Sequence, residues 1–474
     1  MALASADFTA ATFGDPQMRE RLRILTADLE SHPGGSLPQA CRSKAALKGA
    51  YRFCDNPFVT VGDILPAFVR PSVAALARRR EVIVPHDSTS FNFSHLKSAT
   101  GLGLLNDSPT AKGIHLHSSL LLDGDCNLVG IAELHFWVRE DFRQETAEEV
   151  RDLPIEEKES FKWLRGMRAA HHAFTAASPT PPRLIHVMDR EGDIHEAFAE
   201  VKRLGDHAVI RCAQNRRVEG DQADRIEFAK QRIAATGALG VMQLRVPLKE
   251  GGYRTAVVEA RAKEVRLRPD DGKRKGRKPL SLGLIEIREI STPPEGEKAA
   301  SWWLWTTLPV RTLKQVTRVV RIYRARWRVE DYHRALKTGC AAEKLRLQEG
   351  ESLMKVLAIK AWVATRVVRL RDEAKNNPGQ DCEVCFTEQE WKLLWARQHN
   401  RPWRQQDGKP TLGEVVKWLA RLGGHLGRNS DPVPGAECLS KAVYALDLLL
   451  QGRQIAIAEV AAEAGHANEV KPKP

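Results

Sequence analysis

The chain has 474 residues, of which 42% are hydrophobic, enough to build a sizeable core and two to four domains. A net charge of +13 and a pI near 9.4 make a polyanion the first partner to consider. No apolar run reaches the roughly 18 residues of a membrane span, and Met1-Ala-Leu-Ala-Ser-Ala-Asp7 lacks a charged-then-apolar leader, which argues against membrane and secreted proteins. The eight cysteines are scattered, and Cys382 and Cys385 form a lone CxxC, a poor zinc signal without a second ligand pair. A cytoplasmic, reduced protein that makes no use of a membrane is expected.

Residues 1–70 read as helical and basic. One helix starts after Pro16, with Arg19, Arg21 and Arg23 in its first turns. A second is expected from Leu37 to Phe53, carrying Arg42, Lys44, Lys48 and Arg52, and it stops at the turn Asp55-Asn-Pro57. Short basic helices ahead of a larger domain suit a module that grips a DNA end, although helical packing modules look similar.

Strand signals follow. Glu81-Val-Ile-Val-Pro-His-Asp87 reads as a short apolar strand with Asp87 near its end. Gly113–Asp123 and Asn127–Val138 read as strands joined by the hairpin turn Asp123-Gly-Asp-Cys126. A helix is expected over Glu157–Ala177, then a buried strand, Arg183-Leu-Ile-His-Val-Met-Asp189, that again ends on an aspartate. A helix to about Leu204 and a strand from Asp206 to Cys212 complete the order β-β-β-α-β-α-β. That order belongs to an α/β fold with an RNase H-like mixed sheet.

From about 214 to 309 the rhythm changes. Strand candidates at Gly240–Leu248, Arg254–Leu267, Ser281–Ile290 and Trp302–Thr307, with the basic loop Lys273-Arg-Lys-Gly-Arg-Lys278, mark a β-rich insertion. Val319 to Gly339 then reads as one long helix, free of Pro and Gly until its last residue. The rest is helical, at Ser352–Arg371, Glu388–Gln398, Leu412–Leu422 and Glu437–Gln451. The expected domains are therefore 1–70, helical; 71–350, catalytic, with the insertion at about 214–309; and 351–474, helical.

Tyr323, Arg326, Glu330 and Lys337 recur on one face of the long helix, a pattern that a solvated, salt-bridged face could also produce. Two distant carboxylates shift the balance. In an RNase H-like sheet Asp87 and Asp189 leave neighbouring strands at the edge where α/β sheets place their ligands, and Glu330 on the following helix could join them. Three hard oxygen ligands suit one or two Mg²⁺ ions, which would activate a water or a 3′-OH for phosphodiester cleavage and transfer.

Tyr323-x₂-Arg326-x₃-Glu330-x₆-Lys337 resembles the YREK signature of cut-and-paste DDE transposases of bacterial insertion sequences, the group typified by the transposon-five transposase. The likeness extends to Gly49-Ala-Tyr-Arg-Phe53, His86-Asp-Ser-Thr89, His117-Ser-x-Leu-Leu-Leu122, Glu157-Lys-Glu-Ser160 with Lys162-Trp-Leu164, and Asp189-Arg-Glu-x-Asp193-Ile-His. It implies Asp87, Asp189 and Glu330 as catalytic metal ligands for Mg²⁺, with two ions expected and Mn²⁺ able to substitute. It further implies DNA contacts by Tyr323, Arg326, Lys337, Arg21, Arg52 and Arg334, and a base-stacking role for Trp302 in a pathway that opens the end by a DNA hairpin. A homodimer acting on double-stranded transposon ends and target DNA, each end cut by the opposite subunit, is implied too. Two positions depart from the pattern: Gln17 and Met18 stand where relatives have paired arginines, and Pro434–Leu439 lacks tryptophans common in the dimer-forming region. The competing readings are an RNase H-like nuclease or resolvase without strand transfer, and a domesticated DNA-binding regulator. The basic N-terminal helices and the insertion weigh against the first, and the presence of all three acids against the second.

Overall fold

The computed structural model describes residues 5–105, 108, 110–139, 147–220, 226–269, 278–428, 431 and 433–469. Lys273–Arg277 of the expected basic loop lie outside the described residues. No helix among the described residues is long and apolar enough to cross a membrane. The chain forms two compact units, one of 72–89 and 116–330, the other of 1–71, 90–115 and 331–474.

The sheet strands are β1 (Glu81–Asn92), β2 (Gly103–Leu104), β3 (Lys112–Leu122), β4 (Leu128–Trp137), β5 (Arg183–Met188) and β6 (His207–Arg211), then β7 (Arg217–Glu219), β8 (Ile226–Phe228), β9 (Gly240–Pro247), β10 (Tyr253–Leu267), β11 (Leu280–Glu289) and β12 (Ser301–Thr306). In the 72–330 unit the order is β3-β1-β5-β6-β12-β11-β10-β7-β8, with β4 on β3 and β9 on β10. A hairpin-linked pair, a central strand and two parallel crossover strands make the mixed RNase H-like core. The β3–β4 turn closes because Asp123 Oδ1 accepts from the amides of Asp125 and Asn127, each at 2.9 Å, while Cys126 takes a positive φ of 68°.

The insertion continues this sheet rather than forming a separate one. β12 pairs antiparallel with β6 through Leu304↔Arg211 and Trp305↔Ile210, so the chain leaves the core edge, builds β7–β11 and returns beside its point of departure. Trp305 is fully buried with Phe198, Ile210, Leu284 and Met188 on the helix-covered face of the sheet. The short strands β7 and β8 and the helix Ala229–Ala234 were not among the sequence expectations, being too short to show a period.

Three expectations need correction. Asp87 is not at the end of a short strand, because β1 runs on to Asn92; only its pairing with β5 stops, at Pro85↔Val187. The long helix is also divided, into Leu313–Arg324 and Trp327–Arg334, followed by a π-helical turn at Ala335–Gly339. At the division the amides of Ala325, Arg326, Arg328 and Val329 each donate to the carbonyl three residues back, at 3.0 Å. No Pro or Gly lies there, so local propensity does not make the break. The Leu37–Phe53 helix is likewise two, Leu37–Ala40 and Lys44–Cys54, the second capped by Ser43.

In the other unit the Gly350–Asn376 helix is buried along most of its length, lysines included. Lys360 is fully buried and its ammonium donates to the carbonyls of Pro33, Gly35 and Cys340 at 3.0, 2.9 and 2.7 Å. Lys355 holds the carbonyls of Cys54 and Asn56 in the same way, at 2.7 and 2.8 Å. Loop carbonyls beyond the reach of backbone donors are thus satisfied by charged ones. Cys382 and Cys385 are core residues beside Phe386, Trp391 and Leu439, and burial pushes their thiols up, to about 11 and about 12. They are packing groups.

Replacing Lys360 with Met keeps the length of the side chain and removes the donor from three carbonyls. We expect a loss of about 1–3 kcal/mol, the usual cost of stranding buried acceptors. Urea denaturation reads this as a lower midpoint; an unchanged midpoint would contradict the role given to the ammonium.

Candidate active site

The parallel register between β1 and β5 fixes the two aspartates. Pro85 pairs with Val187, and two positions farther along each strand stand Asp87 and Asp189. Asp189 ends its strand as the cap of the 3-10 turn Arg190–Gly192, where its Oδ1 accepts from the Glu191 amide at 2.8 Å. Asp87 Oδ1 accepts from the Ser88 amide at 2.8 Å. Glu330 lies on the Trp327–Arg334 helix of the same unit.

Arg326 ties this group together. One Nη donates to Asp87 Oδ2 at 2.6 Å and the other to Glu330 Oε1 at 2.5 Å, while the side chain is only 11% exposed. Burial raises the Asp87 carboxyl; the Arg326 charge opposes that, and Asp189 and Glu330 add to it, leaving Asp87 up at about 6. Three acids within electrostatic reach of one another, one of them desolvated, form a group that favours a cation. Among the described residues no three His, Cys, Asp or Glu side chains are gathered tightly enough as placed to ligate a single ion. The donor chemistry nonetheless fits a hard divalent ion, since the acids are all oxygen ligands and their mutual repulsion needs a positive charge to relieve it.

A chain of ion pairs reaches Glu191, whose amide donates to Asp189. Lys162, 7% exposed, reaches Glu159 and Glu191 at 3.4 Å each and lies over the Trp137 ring. Arg139 grips both oxygens of Glu159, at 2.8 and 2.9 Å. Farther along, buried Asp193 accepts from the Ala213 amide and from Arg216, pinning the chain after β6. Beneath the aspartates runs a polar chain that the sequence reading missed. His86 meets Ser119 at 2.8 Å and His186 at 2.9 Å, and His186 and His171 both reach Asp206. Burial, reinforced by His186 and His117, pushes the His86 imidazole well down, so it stays neutral. Its sequence signal was a histidine in each apolar strand close to the acid, in Pro85-His-Asp87 and Ile185-His-Val-Met-Asp189.

The expected DNA contacts are dispersed. Tyr323 is buried, with its ring 5.6 Å from that of Trp302 in an edge contact. Trp302 is half-buried on β12, and the core tryptophan of that strand is Trp305. In the other unit Lys337 sits in the π-turn with its ammonium 5.8 Å from the Phe91 ring, and Arg334 is 73% exposed. Arg52 is exposed on its helix, and the Arg21 guanidinium lies across Gly49, where a Cβ would stand 2.5 Å from it.

Three family models match in chain order: Transposase DNA-binding over residues 1–59, Transposase DDE domain over 173–365, and Transposase Tn5 dimerisation domain over 359–464. Among solved structures, the cryo-EM structure of the piggyBac transposase synaptic complex with hairpin DNA is similar at 8% identity and a TM-score of 0.33. The alignment covers 76% of this chain, which spans 66% of the length of that one.

The ion pairs around Glu159 have a pH signature. Burial alone would raise the Glu159 carboxyl, but Arg139 and Lys162 bring it down from 4.5 to about 2. A depressed acid stabilises the fold above its unfolded value and loses that contribution as pH falls through the folded one. The difference in melting temperature between the native chain and Glu159→Gln should therefore be full at neutral pH and shrink as pH falls from 4.5 towards 2. A difference constant across that window would contradict the ion pair.

Proposed function

This chain belongs to the Tn5-like DDE transposases, and we propose that it is a cut-and-paste transposase whose Asp87, Asp189 and Glu330 perform Mg²⁺-dependent cleavage and strand transfer at transposon ends. DDE membership carries divalent-metal dependence in general; the choice of Mg²⁺, the use of two ions and the tolerance of Mn²⁺ are part of the proposal. The observation that carries it is the meeting of Asp87 and Glu330 on one guanidinium, with Asp189 close enough to raise the same carboxyl.

Asp87, Asp189 and Glu330 would hold the metal; when bound, it activates a water or a 3′-OH and stabilises the leaving oxygen. The chain's own residues do the rest. Lys162 and Arg139 flank the Asp189 turn, and His86, held neutral by burial, joins β1 to β5 through its hydrogen bond with His186. Arg326 and Lys337 offer positive charge to phosphate, and Arg21, Arg52 and Arg334 extend that reach along the duplex. We assign end binding to residues 1–70, catalysis to 71–350, and pairing of two copies to 351–474. The partners are double-stranded transposon ends, target DNA and a second copy of the chain, in the cytoplasm of a bacterial cell.

Asp87→Asn, Asp189→Asn and Glu330→Gln should each abolish cleavage and leave end binding nearly intact, because ligation needs the full carboxylate and positioning on DNA comes from other contacts. Gel-shift and Mg²⁺ cleavage assays on the same samples test this. Appreciable cleavage by any of the three removes that residue from the site.

Trp302 and Trp305 should separate cleanly. Trp305→Ala empties a core position and should cost about 3–5 kcal/mol of stability. Trp302→Ala should cost less than that, allow first-strand nicking, and stall before the hairpin, because stacking on a flipped base is worth about 1–3 kcal/mol at that step alone. Time-resolved gels of nicked and hairpin products, with melts alongside, decide; equal slowing of every product by Trp302→Ala would make it structural.

A further inference from the structure

Arginines elsewhere in the same unit meet carboxylates in a structural way. Arg139 places two nitrogens on the two oxygens of Glu159, and Arg168 does the same with Glu200. Such a fork on one acid is self-contained. Arg326 differs. Its two Nη atoms go to two acids from separate elements, Asp87 of β1 and Glu330 of the helix, and its buried Nε has no hydrogen-bond partner among the described residues. A positive group bridging oxygens of acids that repel one another does what a divalent ion would do there.

We propose that Arg326 is an internal stand-in for the metal: in the DNA-free protein its guanidinium holds the cation position between Asp87 and Glu330, and metal loads tightly only when a DNA phosphate draws it away. The inference rests on the reading of these acids as metal ligands. Two cations drawn to the same pair of carboxylates repel each other, so arginine and metal compete for Asp87 and Glu330. A phosphate offers the guanidinium an equivalent forked partner, and its binding releases both acids together. By linkage, DNA then tightens metal and metal tightens DNA by the same factor. The consequence is order: a transposase whose acids are shielded until an end is present does not carry an armed metal site among unrelated DNA.

The test is Mn²⁺ binding, followed by water-proton relaxation, which needs no catalysis. In DNA-free protein, Arg326→Ala should bind Mn²⁺ at least about tenfold more tightly than the native chain, with Arg326→Lys, one charge without the fork, in between. A duplex ending in the element's own terminal repeat should tighten Mn²⁺ binding by a similar factor in the native chain and hardly at all in Arg326→Ala. Equal or weaker Mn²⁺ binding by folded Arg326→Ala overturns the proposal; should that variant not fold, Arg326→Lys decides by the same comparison. Asp87→Asn separates the two levels of argument. If it abolishes the gain of Arg326→Ala, the acids are the site; if it changes Mn²⁺ binding in neither background, the metal-site reading itself fails, not the role of Arg326 alone.

Discussion

Carboxylates brought together repel one another, and here a single guanidinium answers that repulsion at two of three acids, one of them buried. Asp87 is buried enough to be raised to about 6 even with Arg326 upon it, because Asp189 and Glu330 act on it too. Such a group is costly to assemble and depends on the contacts around it. The parallel β1–β5 pair, in register as far as Pro85↔Val187, leaves each aspartate two residues farther along its chain. The histidine chain beneath them satisfies its polar atoms internally, and the Arg139–Glu159–Lys162–Glu191 chain supports the turn after β5.

The helix that carries Glu330 departs from α-geometry on both sides of it. A continuous helix through Val319–Gly339 would run one set of hydrogen bonds from end to end. Instead the backbone tightens at Ala325–Val329, where Arg326 turns to its two acids, and loosens into a π-turn at Lys337. Departures from α-geometry often mark functional positions. Both here fall on residues of the Tyr-Arg-Glu-Lys pattern.

Much of the core was legible in the sequence. Apolar runs ending on Asp87 and Asp189, the Asp123 hairpin turn and the alternation of strands with helices identified an RNase H-like sheet, and β9 to β12 of the insertion fell within a residue of their expected bounds, whereas β7 and β8 were missed. What escaped was set by tertiary contact. Nothing in the residues near Ala325 announces a break, since it contains no Pro or Gly. Lys360 reads as a solvated lysine until three loop carbonyls close on it. The spacing singled out Glu330 beside Arg326, yet it could not say that Arg326 would bridge Glu330 to Asp87. The polar second half of β1 went unassigned because only its first half shows the apolar run of a buried strand.

The most direct test of the account is the position of a metal in the assembled complex. Crystals of the chain with a transposon-end duplex, soaked in Mn²⁺ and measured at the manganese absorption edge, should show anomalous density touching oxygens of Asp87, Asp189 and Glu330, with the Arg326 guanidinium moved onto a phosphate. Manganese held elsewhere, or held by these acids with Arg326 still between Asp87 and Glu330, would contradict it.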